Sequence, residues 1–356
     1  MEGLNQTCFG TPFEEKYLLH IWQRWILVVL SICIILLIFL VNSLVIISMW
    51  KTNQLSNMSL RLLFLLSITD CFFGALAGIP FTIMMVAYYD QTYCHIELVD
   101  QFFMTLLGKT TSYLLVLIAI DRYARIKFLV EYPTMAVDKW FYVGTASVVF
   151  VALMQAIFNV ITRISHSYPY TKMFVAFCDI FLLLVGSIAY LMAIVVARRH
   201  QRNAINQEIL AKVQESFTYV AKLIIMTAIC FYVPYEIMSL TREFTKDKMQ
   251  GHLKQWFSFF MFITYMLPFC NSFANGIVFL LNNQKANNFV KKLLSRERRI
   301  FSFSDFPEHI VITYWLICTK QNLCIAINEW YFWILKITVS LLQCIREVKW
   351  IPESTN

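Results

Sequence analysis

The chain has 356 residues, of which 59% are hydrophobic, 16% are aromatic and only 15% are charged. Soluble domains carry about 25% charged residues, so the composition excludes an ordinary soluble fold and indicates a membrane protein. The net charge of +8 does not indicate a nucleic-acid partner, because the basic residues border apolar blocks, where they orient a membrane protein.

Seven apolar blocks of about 20 residues precede residue 283, and each is long enough to cross a bilayer as a helix. We therefore predict an all-α membrane protein. Its predicted parts are an extracellular tail (1–23), a seven-transmembrane helix bundle (24–282), an amphipathic helix on membrane lipids (283–299) and a cytoplasmic or membrane-associated tail (300–356). The bias of basic residues predicts an N-terminus outside and a C-terminus inside.

The N-terminal tail lacks the basic start and apolar core of a signal peptide. Within it, Asn5 begins the triplet Asn-Gln-Thr, an N-glycosylation acceptor that is used only if this end is extracellular. We therefore predict a glycoprotein with a short free tail.

Two polar residues lie deep in the first two apolar blocks. Asn42 is an amide in hydrocarbon, so it either joins two helices or belongs to a polar cluster. Asp70 follows in the second block, and an acid at mid-membrane is functional by default.

The third apolar block ends in Asp121, Arg122 and Tyr123. This ending and the aliphatic spacing before it resemble the third helix of class A (rhodopsin-like) G protein-coupled receptors, and the resemblance spans about residues 25–295. It implies a plasma-membrane receptor in which Asp121 holds Arg122 at rest. It also implies that Arg122 then turns to a heterotrimeric G protein.

A buried polar layer is the second point of resemblance. Asn42, Asp70 and Thr111 each lie about 14 to 17 Å from the same membrane surface at helical rise. Asn271, Ser272 and Asn275 of the seventh block reach a similar level, and oxygen atoms around an acid suit a hard cation or water. These residues match the family's sodium pocket, which implies an allosteric sodium ion and no other cofactor. The alternative is a protonated, merely hydrogen-bonded Asp70.

The chain also departs from the family pattern. Glu97 stands where most members carry the loop Cys, within an acidic loop end that also holds Asp100, so we predict Cys8–Cys94 as the candidate disulfide. The short second outer loop and Leu182 in place of the fifth-helix Pro resemble the melanocortin, cannabinoid and lysophospholipid branch.

The resemblance also implies a set of switch residues in the last blocks. Tyr232 takes the usual Trp position before the kink residue Pro234, and Phe279 takes the position of a Tyr. The predicted coupling and switch residues are Asp121, Arg122, Tyr123, Tyr190, Tyr232, Pro234, Asn275 and Phe279.

The predicted ligand pocket contains Asp100, Met104, Lys109, Tyr235, Glu236 and Phe269. Met104 occupies the position of the amine-binding Asp, which disfavours a biogenic amine in its usual pose, while Asp100 either reaches a cation or sits in a solvated loop. Lys109 is deep in the membrane, so it pairs with Glu236 or bonds to backbone and hydroxyl groups. In the first case an anionic ligand would compete with Glu236, which favours acidic lipids or carboxylates over amines.

A transporter or channel with a mid-membrane cation site at Asp70 is the alternative function. Such proteins show internal repeats or interrupted helices, and no repeated half is present in the sequence. The chain also lacks a zinc spacing, a phosphate loop and a hydrolase elbow, so no enzyme is predicted. We therefore predict a receptor for an extracellular small molecule, lipid or peptide.

Overall fold

A computed structural model describes ten parts of the chain. They are residues 19–56, 58–86, 91–128, 137–164, 177–178, 180–182, 184–189, 191–196, 229–241 and 251–300. Helices account for nearly all of these residues, and no strand occurs among them. The predicted all-α class is confirmed.

We number the helices in chain order. They are α1 (Ile21–Lys51), α2 (Met58–Phe73, Gly74–Gly78 and Ile79–Val86 in direct succession), α3 (Gln91–Lys127), α4 (Val137–Ile164), α5 (Ile180–Val196, described in part), α6 (229–241), α7 (Gly251–Tyr265 and Leu267–Asn282) and α8 (Gln284–Ile300). Among the described residues, α1 to α4 and α7 are long and apolar enough to cross a membrane.

The distribution of side chains is the reverse of that in a soluble protein. Large apolar side chains are exposed along α1 and α4, including Leu36 at 63% and Phe150 at 63%. Polar side chains such as Asn42, Asp70 and Asn271 are fully buried between helices. Lipid accepts the apolar exterior, while the polar groups must find partners inside the bundle.

α3 lies at the centre of the described bundle. It packs against α2 and α4 along its length, and side chains of α6 and α7 also reach it. α1 packs against α2 and α7 on the other side of the bundle. Below, the "Arg122 end" and the "Asp100 end" denote the two ends of α3.

Two prolines set local distortions. Pro80 has no N–H to give to the carbonyl four residues earlier, and residues Gly74–Gly78 of α2 form a π-helical turn. Pro268 similarly accompanies the break of α7 after Tyr265, where the N–H of Met266 bonds to the carbonyl of Ile263 at 3.1 Å. Each proline precedes a buried aromatic residue of the apolar core, Phe81 after Pro80 and Phe269 after Pro268.

The chain divides into two compact units, Met1–Lys292 and Leu293–Asn356. The helical bundle belongs to the first unit, while the described part of the second is only the end of α8, residues 293–300. In α8, the apolar Ala286 and Val290 are buried, whereas Gln284 and Lys285 are exposed. The tail after residue 300 lies outside the described residues.

One prediction about the connection before α3 is wrong. Glu97 and Asp100 are not in a solvated loop, because α3 begins at Gln91 and both side chains are buried. Hydropathy places the start of α3 too late, because the polar residues of its first turns face other helices and resemble a loop.

Candidate functional site

A buried carboxylate, Asp70 of α2, is the centre of the polar core. Its Oδ1 accepts hydrogen bonds from Thr111 of α3 at 3.1 Å and from Ser272 of α7 at 2.7 Å. Its Oδ2 has no hydrogen-bond partner among the described residues. One acid therefore joins three helices while retaining an oxygen for a further ligand.

Two amides of α7 complete this layer. Asn275 interacts with the Asp70 carboxyl group, although neither of its amide atoms makes a hydrogen bond of normal geometry within the described residues. The amide atoms of the fully buried Asn271 also lack such bonds. Asp70, Asn271 and Asn275 therefore each present buried polar atoms without a hydrogen bond among the described residues, which is chemistry that suits a small cation or water.

Asn42 belongs to the same region but does not contact Asp70 through a described hydrogen bond. Its amide donates to the carbonyl of Ile38 at 3.0 Å and to that of Ser272 at 3.1 Å. It thus holds α1 against α7 behind the carboxylate. Gly276 permits this approach, because a Cβ there would lie 2.6 Å from Val41 and 3.1 Å from the Asn42 oxygen.

Tyr232 of α6 contacts residues of α3 and α7 close to Asp70. Its hydroxyl donates to the carbonyl of Gly108 at 3.3 Å, and it lies close enough to Ser112 and Asn271 to interact with both. The ring is buried. α6 therefore touches α3 and α7 through a polar tip at the position where the family usually has Trp.

The predicted contact between Lys109 and Glu236 is present. Their Nζ and Oε1 atoms are 2.9 Å apart, and the side chains are 12% and 8% exposed. They line a small cleft together with Ser112, Tyr113, Val116, Leu182 and Tyr232. A charged pair thus ties α3 to α6 next to a cleft that also reaches α5.

At the Asp100 end, a second acid is fully buried. Tyr265 of α7 donates its hydroxyl to Asp100 Oδ2 at 2.5 Å, and Oδ1 has no hydrogen-bond partner among the described residues. Tyr265 stacks on Phe81, with ring centroids 5.1 Å apart, and meets Tyr235 edge-on at 5.8 Å. The acid is therefore bonded to one ring, Tyr265, which itself packs against rings of α2 and α6.

At the Arg122 end, Asp121 and Arg122 are both buried. Asp121 accepts a short hydrogen bond from Ser59 of α2. Tyr123 is half-buried, and its ring lies 5.5 Å from the Lys127 ammonium group. The acid of the tripeptide is therefore fixed to a neighbouring helix by a contact that the sequence did not suggest.

The remaining predicted residues lie in different surroundings. Met104 and Phe269 pack in an apolar cluster with Ile38, Phe73 and Ala77 and do not line the cleft. Pro234 is half-buried in α6, and Phe279 is buried in α7. Asn5, Cys8 and Tyr190, together with the side chain of Cys94, lie outside the described residues.

Sequence reasoning missed two residues of these sites, Ser59 and Tyr265. Helical spacing could have found Ser59, because it is eleven residues before Asp70 and such a spacing places both side chains on one face of α2. It could not have found Tyr265, because α7 breaks after that residue. A hydroxyl on the face of a buried acid was the available signal.

Apolar outer surfaces and a line of buried polar groups along α3 define a multi-pass helical membrane protein with a polar core. Residues 41–279 match the family described as 7 transmembrane receptor (rhodopsin family). This match covers more than half of the chain, which therefore belongs to that family of receptors. A comparison with curated proteins finds no match.

Proposed function

We propose that the protein is a plasma-membrane receptor that binds an extracellular ligand and activates a heterotrimeric G protein. Activation moves α6 away from α3 at the Arg122 end. The N-terminus lies outside the cell and the C-terminus inside, in agreement with the basic residues at the Arg122 end. Membership of the receptor family supports a signalling role over transport or catalysis.

The burial of Asp121 and Arg122 at one end of α3 is the observation that carries this proposal. A guanidinium that is 6% exposed at the edge of a bilayer needs partners in the resting state. It can exchange them for a partner protein when neighbouring helices move. Ser59 supports the resting arrangement by holding Asp121 to α2.

A second feature supports movement of α6. Within the described residues, α6 meets α3 through polar contacts, the Lys109–Glu236 pair and the Tyr232 hydroxyl. Polar contacts between helices have discrete alternatives and can exchange as a ligand arrives. The Asp70 oxygen that has no hydrogen-bond partner among the described residues would hold sodium in the resting form, which adds a further control over the same polar residues.

The proposal is tested by replacing Arg122 with Ala. We expect second-messenger production to be abolished while surface expression stays near the wild-type level, because the guanidinium serves the partner protein. Lys127→Ala is the matched control, since this cation is exposed at the same end of α3. Arg122→Lys distinguishes loss of charge from loss of guanidinium geometry.

Basal signalling after overexpression is the readout, and agonist-driven signalling is measured once a mixed ligand library supplies an agonist. Undiminished signalling in well-expressed Arg122→Ala would contradict the proposal. Equal loss in Lys127→Ala would show that the effect is one of net charge.

A further inference from the structure

Asp100 is a buried acid with only one hydrogen bond among the described residues. Its side chain is fully buried, and only Oδ2 is bonded, to the hydroxyl of Tyr265. Oδ1 has no hydrogen-bond partner among the described residues. A buried carboxylate oxygen without a donor is costly, so the site favours whatever positive group can enter it.

The charges in this region indicate whether the ligand would be a cation or an anion. Lys109 is deep in the bundle, but Glu236 lies 2.9 Å from it and neutralises it. Asp100 has a neutral hydroxyl as its described partner. An incoming anion would have to displace Glu236 from Lys109, whereas an incoming cation would meet an oxygen that is already available.

Tyr265, the hydrogen-bond partner of Asp100, packs against two further rings that suit the rest of such a cation. The ring of Tyr265 lies against Phe81 of α2 on one side and meets Tyr235 of α6 edge-on. Ring faces attract ammonium groups and also accept the apolar part of an organic cation. These three rings come from α2, α6 and α7, so a molecule bound against all three rings and Asp100 would contact those helices together with α3.

We propose that Asp100 anchors a binding site for an organic ammonium ion, with Tyr265, Tyr235 and Phe81 as its aromatic wall. This inference rests on the proposed receptor function and names the chemical class of its ligand. It departs from the preference for acidic lipids or carboxylates that the sequence suggested. The ammonium replaces the missing donor at Oδ1, and Tyr265 stays bonded to Oδ2.

The test is thermal unfolding of the purified full chain in detergent, which requires no G protein. The probes are 2-phenylethylammonium and benzyltrimethylammonium as cations, 2-phenylethanol as a neutral analogue and 3-phenylpropanoate as an anion. We expect a cation at ten times its Kd to raise the melting temperature by about 2 °C or more, because it binds only the folded state. The neutral and anionic analogues should leave the melting temperature unchanged.

Three variants locate the effect. Asp100→Asn keeps the shape and an acceptor for Tyr265 but should abolish the response to cations. Tyr265→Phe keeps the ring and both carboxylate oxygens, so its response should persist, which preserves the test if Asp100→Asn unfolds. Lys139→Met is the control, because it removes a charge from an exposed position of α4 and should not reduce the response.

Failure of both cations to stabilise the wild type, or an equal shift in Asp100→Asn, would overturn the inference. Stabilisation by the anion alone, lost in Lys109→Met, would instead assign an acidic ligand. The receptor proposal is judged separately. Loss of signalling in Arg122→Ala without cation binding would leave that proposal intact, and cation binding without any G protein signalling would leave only this inference intact.

Discussion

The Lys109–Glu236 pair gives a quantitative test of how α6 is held to α3. The perturbations are Lys109→Met, Glu236→Gln and the double variant, which remove one charge or both at nearly constant volume. Either single change removes the pair and also leaves a buried charge without its described partner. The resting arrangement should therefore weaken more in the single variants than in the double variant.

The expected contribution of the Lys109–Glu236 pair to the stability of the resting state follows from the distance between the two charges. Two unit charges 2.9 Å apart attract each other by about 6 kcal/mol at an effective dielectric constant of about 20. The loss of hydration of two nearly buried groups offsets much of this attraction. A net contribution of about 2 kcal/mol lies within the range measured for close charge pairs. It would change the ratio of active to resting receptor about 30-fold.

The assay is basal second-messenger production, normalised to the amount of receptor at the cell surface. We expect each single variant to raise it, up to about 30-fold, and the double variant to stay at or below the single ones. If the two positions acted independently, the double variant would instead approach about 900-fold, and that multiplicative result would refute the coupling. Lys139→Met makes the same chemical change at an exposed position and should leave basal signalling unchanged.

Two further predictions concern the Asp70 layer. Sodium chloride should raise the melting temperature of the purified protein more than potassium chloride does, because Asp70 Oδ2 has no described hydrogen-bond partner and could bind the smaller ion. Asp70→Asn should remove this difference. Equal effects of the two salts on the wild type would reject the cation site. Gly276→Ala should lower the free energy of unfolding by about 1–3 kcal/mol, because the new methyl group would lie 2.6 Å from Val41. Val41→Ala should recover part of that loss in the Gly276→Ala background, and a fully stable Gly276→Ala would contradict the close approach of α1 and α7.

Much of the fold was predictable because membrane helices carry a strong signal. The apolar blocks predicted membrane-spanning helices, and α1 and α2 are long and apolar enough to cross a bilayer, because hydrocarbon imposes length and polarity together. The beginning of α3 was not predictable in the same way. Its first turns contain Glu97 and Asp100, which are buried by other helices and not by lipid. Hydropathy averaged over a window of residues therefore assigns these polar turns to a loop.

The depth of the buried polar residues in the membrane was predictable from the sequence, but their hydrogen-bond partners were not. Counting residues along each helix placed Asn42, Asp70 and Ser272 at one level, where the structure has them. It did not show that Asn42 binds the backbone of α7 and not the carboxylate, because that choice depends on rotation about the helix axis. The same limit hid the bond between Tyr265 and Asp100, which depends on the break in α7 beside Pro268.

A ladder of aromatic rings runs through this core, and it constrains how the chain can evolve. Phe73 stacks on Phe269, Phe269 adjoins Phe81, Phe81 stacks on Tyr265 and Tyr265 meets Tyr235. A smaller residue at any of these five positions would leave a cavity. The neighbouring rings could fill it only by moving away from the rings on their other side. Substitutions of these aromatic residues should therefore be strongly epistatic. During evolution, the rings of α2, α6 and α7 should change together and seldom one at a time.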